Sequence, residues 1–288
     1  MQERIEQATP TDADLENLAR LLRHGPLAVL TGAGLSTASG IPAYRDQDGR
    51  WQHTKPIQHQ EFLQSEAVQL RYWARSFVGW PVVSQALPNT GHQALAQLAQ
   101  MGLITPLITQ NVDGLHQKAG SSAVIELHGG IGQVRCLGCQ QTFHRGKVQA
   151  WLEASNPHFD RVQPQRLRSA PDGDAHLEDA AYASFQLVSC PTCQGVLKPD
   201  VVFFGDNVPR VRVAEATQAI EDAAALLVVG SSLIVYSGFR FADLAYRTGK
   251  PVVAINRGVT RADAFLTAKI DTDCGAALTH LLHLAMRG

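Results

Sequence analysis

The sequence predicts an α/β fold, a doubly wound parallel sheet interrupted by a small metal-binding insertion. Three observations carry this reading. Short apolar, partly β-branched runs recur along the 288 residues and stop abruptly at small or polar residues. Amphipathic helical patterns lie between several of these runs. One stretch, 132–197, breaks the alternation, is rich in Cys, Pro, Gln and Gly, and carries two Cys-x-x-Cys pairs.

Taken in order, Thr11 is placed to cap a first helix, with Leu15, Leu18, Leu21 and Leu22 on one face and Gly25-Pro26 as its stop. Leu27 to Leu30 then runs into Thr31-Gly32-Ala33-Gly34. Tyr72 and Arg75 share one face of a further predicted helix, being three residues apart. His92 to Met101 reads as a helix with Ala94, Leu95, Leu98 and Met101 inward and Gly102 as its stop. Four more strand candidates follow: Leu103 to Ile108, Val124 to Leu127, Leu226 to Val229 and Val252 to Ile255. They end at Thr109-Gln110-Asn111, His128-Gly129, Gly230-Ser231-Ser232 and Asn256-Arg257-Gly258. Runs apolar throughout are what strands covered on both faces require. Ligands of such sheets bind beyond the carboxyl ends of the strands, where the polar residues collect here, so one site built from many loops is expected. The implied organisation is a discontinuous Rossmann-like domain, 1–131 and 198–288, with a small zinc-binding module at 132–197 that contains a loose polar stretch from Ser155 to Asp179.

Composition narrows the function classes. An apolar fraction of 45% supports a full core and excludes a disordered or fibrous chain. Lys and Arg number 25 against 26 for Asp and Glu, so no broad positive field exists to hold nucleic acid or an anionic membrane. The N-terminal segment is acidic and polar, unlike a secretory signal or transit peptide, and no apolar run approaches the roughly 20 residues of a membrane span. A cytoplasmic protein is expected. Five cysteines in such a chain argue for metal before disulfides.

The glycines at 32 and 34 let backbone N–H groups approach a phosphate, although the motif alone also fits a plain tight turn. Tyr44 and Arg45 follow on a loop, Arg45 suited to a pyrophosphate and Tyr44 to covering a ribose; an ordinary surface loop is the alternative. Gln110, Asn111 and Asp113 crowd three amide or acid groups at one strand end, where burial is costly unless they bond a polar ligand. His128 ends another strand, and an imidazole with a pKa near 6.5 suits a general base, or a structural role. Cys136, Cys139, Cys190 and Cys193 fit a tetrahedral zinc thiolate site. The long chain between the pairs costs little, since loop closure grows logarithmically with length. Four thiolates leave no open position, so the zinc is expected to be structural. A redox dithiol is the alternative, weakened because neither pair opens a helix after a strand.

In order, GAGLSTASGIPAYR (from Gly32), TQNVDGLH (from Thr109), LHGG, the two CxxC pairs, KPDVVFFGD (from Lys198), GSSL and INRG resemble the motifs of sirtuins, over about Leu21 to Leu282. The segments RYWARSFVGWP and KPDVVFFGD look most like the class II branch. The resemblance implies an NAD-dependent protein-lysine deacylase whose products are nicotinamide, O-acyl-ADP-ribose and free lysine. By that resemblance His128 is the base that removes a ribose hydroxyl proton, and Asn111 orients the ribose and a water. Gln110 contacts the ribose, and Asp113 accepts the nicotinamide carboxamide. Gly32, Ala33, Gly34, Ser36, Ile41, Tyr44 and Arg45 belong to the NAD site, as do Gly230, Ser231, Ser232, Asn256, Arg257 and Cys274. Val202, Phe203, Phe204 and Gly205 match the segment that pairs with the substrate backbone. The Tyr72/Arg75 spacing resembles the pair by which class III sirtuins hold acidic acyl groups, which suggests a preference for acidic or bulky acyl chains; a structural Arg75 is the alternative. The implied partner is acylated lysine in proteins or peptides; the sequence does not fix the oligomeric state, and a monomer is favoured. Mono-ADP-ribosyl transfer and a non-catalytic NAD-sensing module are the rival functions. A hydride-transferring dehydrogenase lacks its dinucleotide fingerprint here.

Overall fold

The computed structural model describes residues 12–46, 48–52, 56–159 and 184–287. Its elements begin with helix α1 (Asp12–His24), strand β1 (Leu27–Thr31), the short α2 (Ala33–Ser36) and a 3-10 turn at Thr37–Ser39. Then come α3 (His59–Gln64), α4 (Glu66–Gln85), α5 (Thr90–Gln100), β2 (Leu107–Thr109), α6 (Leu115–Lys118) and β3 (Val124–Glu126). An excursion follows, through β4 (Gly129–Cys136), β5 (Thr142–His144), α7 (Arg145–Ser155) and β6 (Leu197–Val201). The chain returns with α8 (Arg210–Glu221), β7 (Ala225–Val229), α9 (Tyr236–Arg247), β8 (Val252–Ile255), β9 (Ala268–Ile270) and α10 (Cys274–Arg287).

Six strands form one parallel sheet in the order β3-β2-β1-β7-β8-β9. Successive residues of β1 divide between two cores, as strand geometry demands. Leu27 and Val29 pack with α1, α5 and α10 on one face. Ala28 and Leu30 pack with α8 and α9 on the other. The sheet is therefore doubly wound, as the unbroken apolar runs predict, and its strand order reverses between β1 and β7, where a crevice opens at the carboxyl ends.

The expected strand at Leu103 to Ile108 is shorter in the structure. Pro106 has no N–H to give, so only Ile104 bridges to Leu27 before the regular ladder begins at Leu107. Met101, expected inward, is 45% exposed because α5 ends one residue before it. The cap expected at Thr11 and residues 160–179 of the expected polar stretch lie outside the described residues.

The excursion builds a second, antiparallel sheet, β5-β4-β6. Its apolar face packs with α3 and α4 in one cluster that joins Phe62, Tyr72, Trp73 and Phe77 to Val134, Phe143, Val148 and Leu152. Trp73 Nε1 donates to Leu197 O at 3.1 Å. The fully buried Arg145 lies over the rings of Trp73 and Trp80, with its centre 5.3 and 5.0 Å from theirs, and donates to Ser76 and Gln149. Among the described residues no helix is long and apolar enough to cross a membrane.

Candidate active site

The crevice deepens into a cavity of about 580 Å³ that runs from the start of α10 to the segment after β6. Its floor is the contact between the loops after β1 and β7. Gly34 N donates to Gly230 O at 2.8 Å, and Gly32 N to Val229 O at 3.0 Å. A Cβ at Gly32 would lie 2.7 Å from that of Ser231, and one at Gly230, whose φ is +60°, would lie 2.3 Å from Leu35 N. Only glycine permits this approach. Helix α2 is a single turn, and the N–H groups of Gly34 and Leu35 are bonded to Gly230 O and Gly32 O.

Polar side chains from three strand ends interlock beneath this floor. Ser36 Oγ donates to Asp113 Oδ2 at 2.7 Å and accepts from Asn111 Nδ2 at 3.1 Å. Asn111 also donates to Gly32 O at 3.1 Å, and Asp113 Oδ1 accepts from Leu115 N at 2.9 Å, opening α6. Gln110 Nε2 reaches across to Ser231 Oγ at 2.8 Å. Behind them sit two buried imidazoles with ring centres 4.9 Å apart. His116 Nε2 is 2.9 Å from Thr31 Oγ1. Burial pushes His92 down to about 4 and His116 down to about 3, so both are neutral.

His128, at the end of β3, lines the same cavity. Its Nδ1 lies 2.8 Å from Gln110 O. A carbonyl only accepts, so Nδ1 carries the proton and Nε2 offers its lone pair. Burial lowers the pKa, the Gln110 bond opposes that, and the charge of Arg212 adds to it. The result is a neutral imidazole whose basic nitrogen lies 2.8 Å from Ser237 Oγ, another residue of the cavity wall.

Around this centre the cavity wall includes Gly32, Ala33, Gly34, Ser36, Ile41, Tyr44 and Arg45 from the first loop. Ser231, Ser232, Asn256, Arg257 and Cys274 line the opposite end. Arg45 donates to Gly49 O at 2.9 Å and lies over the ring of Trp51, 5.0 Å from its centroid, so it also ties together its own loop. Tyr44 stacks on Trp51 at 5.3 Å, and both meet Phe204 edge-on. Arg257 Nη2 approaches Asp273 at 3.9 Å. Burial drives the Cys274 thiol up to about 12, so it is no nucleophile.

Val202, Phe203, Phe204 and Gly205 line the far side, extending β6. Tyr72 lines the cavity from α4, edge-on to Phe62 and Trp73. Arg75 is buried in the same helix but is not part of the lining. Sequence reasoning missed Trp51, Arg240 and Ser237, which also line the cavity. Trp51 was discoverable only as an aromatic on the loop of Tyr44. Nothing local marks Ser237, since its partner is 109 residues distant.

At the tip of the small sheet, the sulfur atoms of Cys136, Cys139, Cys190 and Cys193 lie within 4.8 Å of one another. Two pairs stand at 3.4 and 3.7 Å, close to the roughly 3.8 Å between thiolates on a tetrahedral zinc with 2.3 Å bonds. The two knuckles repeat one set of bonds. Gln140 N donates to Cys136 O and Gln194 N to Cys190 O, while Cys136 N donates to Gln141 O and Cys190 N to Gly195 O. The donor set therefore fits one zinc ion with every coordination position filled.

Residues 32–237 match the Sir2 family. The chain is 52% identical to an NAD-dependent protein deacetylase of Xanthomonas axonopodis pv. citri (strain 306), over 90% of this chain and 87% of that protein. It is 51% identical to one from Bordetella bronchiseptica (strain ATCC BAA-588 / NCTC 13252 / RB50), over 89% and 92%. A solved complex described as Sir2-p53 peptide-NAD+ superposes with a TM-score of 0.75 at 30% identity, covering 95% of this chain and 99% of that one.

Proposed function

The chain belongs to the Sir2 family, and from that premise we propose how its residues share the family's reaction, NAD-dependent removal of an acyl group from lysine. The activity makes it an enzyme that uses NAD and holds one structural zinc. NAD, consumed as co-substrate, supplies a ribose carbon activated by its nicotinamide leaving group.

His128 is the general base for a ribose hydroxyl, and its neutral state at pH 7 suits it to that work. Asn111, held by Ser36 and Gly32, orients the ribose and a water; Gln110 contacts the ribose, and Asp113 receives the carboxamide. The loops at 32–34 and 230–232 receive phosphate and ribose, while Asn256, Arg257 and Cys274 take the adenosine end. Val202, Phe203, Phe204 and Gly205 bind the substrate main chain as an added strand. Tyr72 meets the distal acyl group from the wall, and Arg75 acts from the turn of α4 behind it, favouring acidic or bulky acyl chains. The cavity belongs to the domain 1–131 and 198–288 and the zinc to the module 132–197, onto which α3 and α4 are built. Four cysteines held as a zinc thiolate set, with none in a disulfide, accord with work in the reducing cytoplasm, and a monomer is the favoured state.

The observation that carries this reading is that His128 and Asn111, from the ends of separate strands, line one cavity with Ser231 and Phe204. The test is nicotinamide release across acetyl-, glutaryl-, methylglutaryl- and lipoyl-lysine peptides, with mass spectrometry of the products. Acyl-dependent release with O-acyl-ADP-ribose is expected. Label from NAD on protein side chains, with no acyl transfer, would refute it. An acetyl peptide that outperforms the other three in kcat/KM would refute the acyl assignment alone.

A further inference from the structure

Ser237 is the second residue of α9 and lines the cavity, half-buried. Its Oγ lies 2.8 Å from His128 Nε2. Because Gln110 O holds the proton on Nδ1 of the neutral ring, Nε2 has one in-plane lone pair and accepts. The serine hydroxyl is therefore the donor. Among the described residues His128 is the one partner of that hydroxyl, so both oxygen lone pairs remain available to the cavity. A substrate hydroxyl cannot reach the same lone pair of Nε2 while Ser237 occupies it. With the serine in this position, a path from the cavity to the base runs through the serine oxygen.

We infer that Ser237 is a further catalytic residue, which carries the proton of a ribose hydroxyl to His128. The ribose O–H bond breaks as its proton forms a new bond to Ser237 Oγ. The original Ser237 O–H bond breaks as that proton bonds to Nε2. Serine ends as it began, the imidazole gains one proton, and the electron pair of the broken bond stays on the ribose oxygen for its attack. Ser237 lies in the first turn of the 12-residue α9, whose positive end favours the negative charge that develops on the oxygen during transfer. The inference rests on His128 being the base.

Two measurements test it. The first is the ring ¹⁵N NMR spectrum of His128 without NAD, in wild type and Ser237→Ala. Wild type should show a protonated Nδ1 and an Nε2 shifted by an accepted hydrogen bond, and the variant an Nε2 moved toward the value of a free acceptor. An unmoved Nε2 overturns the inference. The second is the ratio of deacylation to nicotinamide exchange, since exchange precedes the proton transfer. Ser237→Ala should lower that ratio about tenfold or more, and Ser237→Thr, which keeps a hydroxyl, should restore most of it. A ratio unchanged in the alanine variant, or lowered equally in both, overturns it. Wild-type enzyme that releases no nicotinamide with any acyl peptide would instead defeat the assigned activity, while the spectrum still reports the hydrogen bond.

Discussion

Ser36 Oγ bridges Asp113 and Asn111, donating to the carboxylate at 2.7 Å and accepting from the amide at 3.1 Å. One hydroxyl thus fixes the angle of two groups that arrive from a different strand. Removing it leaves a buried carboxylate oxygen without its donor, which costs about 1–3 kcal/mol. Ser36→Ala is expected to lower kcat/KM for NAD roughly 10- to 100-fold. An effect under twofold in steady-state kinetics would show that Asn111 and Asp113 hold their positions without it.

His128→Ala is expected to keep the fold, by an unchanged circular dichroism spectrum, and to cut kcat by about 10²–10⁴. The wild-type pH profile follows from the lowered pKa. The base is neutral above its folded pKa and is lost by protonation as pH falls through it, so the acid limb should turn over below pH 6.5. An inflection above 6.5, or one retained in the alanine variant, would assign the titration elsewhere.

The buried imidazoles make stability acid-sensitive. Unfolded His116 and His92 bind protons near 6.5, whereas the folded groups wait until about 3 and about 4. The unfolded state therefore holds more protons between these values, and stability falls as pH drops from 6.5 toward 4. His116→Gln should flatten that slope in urea titrations at stepped pH. Parallel slopes for both proteins would contradict this account.

Gly230→Ala places a methyl group 2.3 Å from Leu35 N at a φ of +60°. Strain and clash together should cost more than about 3 kcal/mol and push the loops after β1 and β7 apart. Thermal unfolding and NAD affinity should both suffer; a neutral variant would mean that the floor of the cavity relaxes freely.

Cys136→Ser should lose zinc, measured by elemental analysis, and more than about 4 kcal/mol of stability, because metal binding supplies folding free energy directly. The cluster joining β4 to α4 couples that loss to Tyr72, so peptide KM should rise with it. Full zinc content in the variant would remove Cys136 from the ligand set.

Much of this molecule was legible in order along the chain. Uniformly apolar runs such as Leu226 to Val229 announce strands covered on both faces, and β7 has that burial throughout. Glycines at 32 and 34 announce close backbone approach, and the Cys-x-x-Cys pairs announce a thiolate metal site. These signals are local, because strand burial, left-handed backbone and knuckle geometry each depend on a few neighbouring residues. Boundaries were less legible where local chemistry competes, as at Pro106, which delays β2.

The sequence alone determined the fold class, the metal chemistry and the residue types gathered at the strand ends. Only the tertiary structure decided that Ser237 meets His128, that Arg45 turns back onto Trp51, that Arg75 stays behind the cavity wall, and that α3 and α4 pack with the cysteine-bearing sheet. The physical reason is range. Periodicity and turn chemistry act over a few residues, whereas a hydrogen bond between side chains 109 residues apart exists only after the sheet has ordered its strands and brought separate loops to one edge.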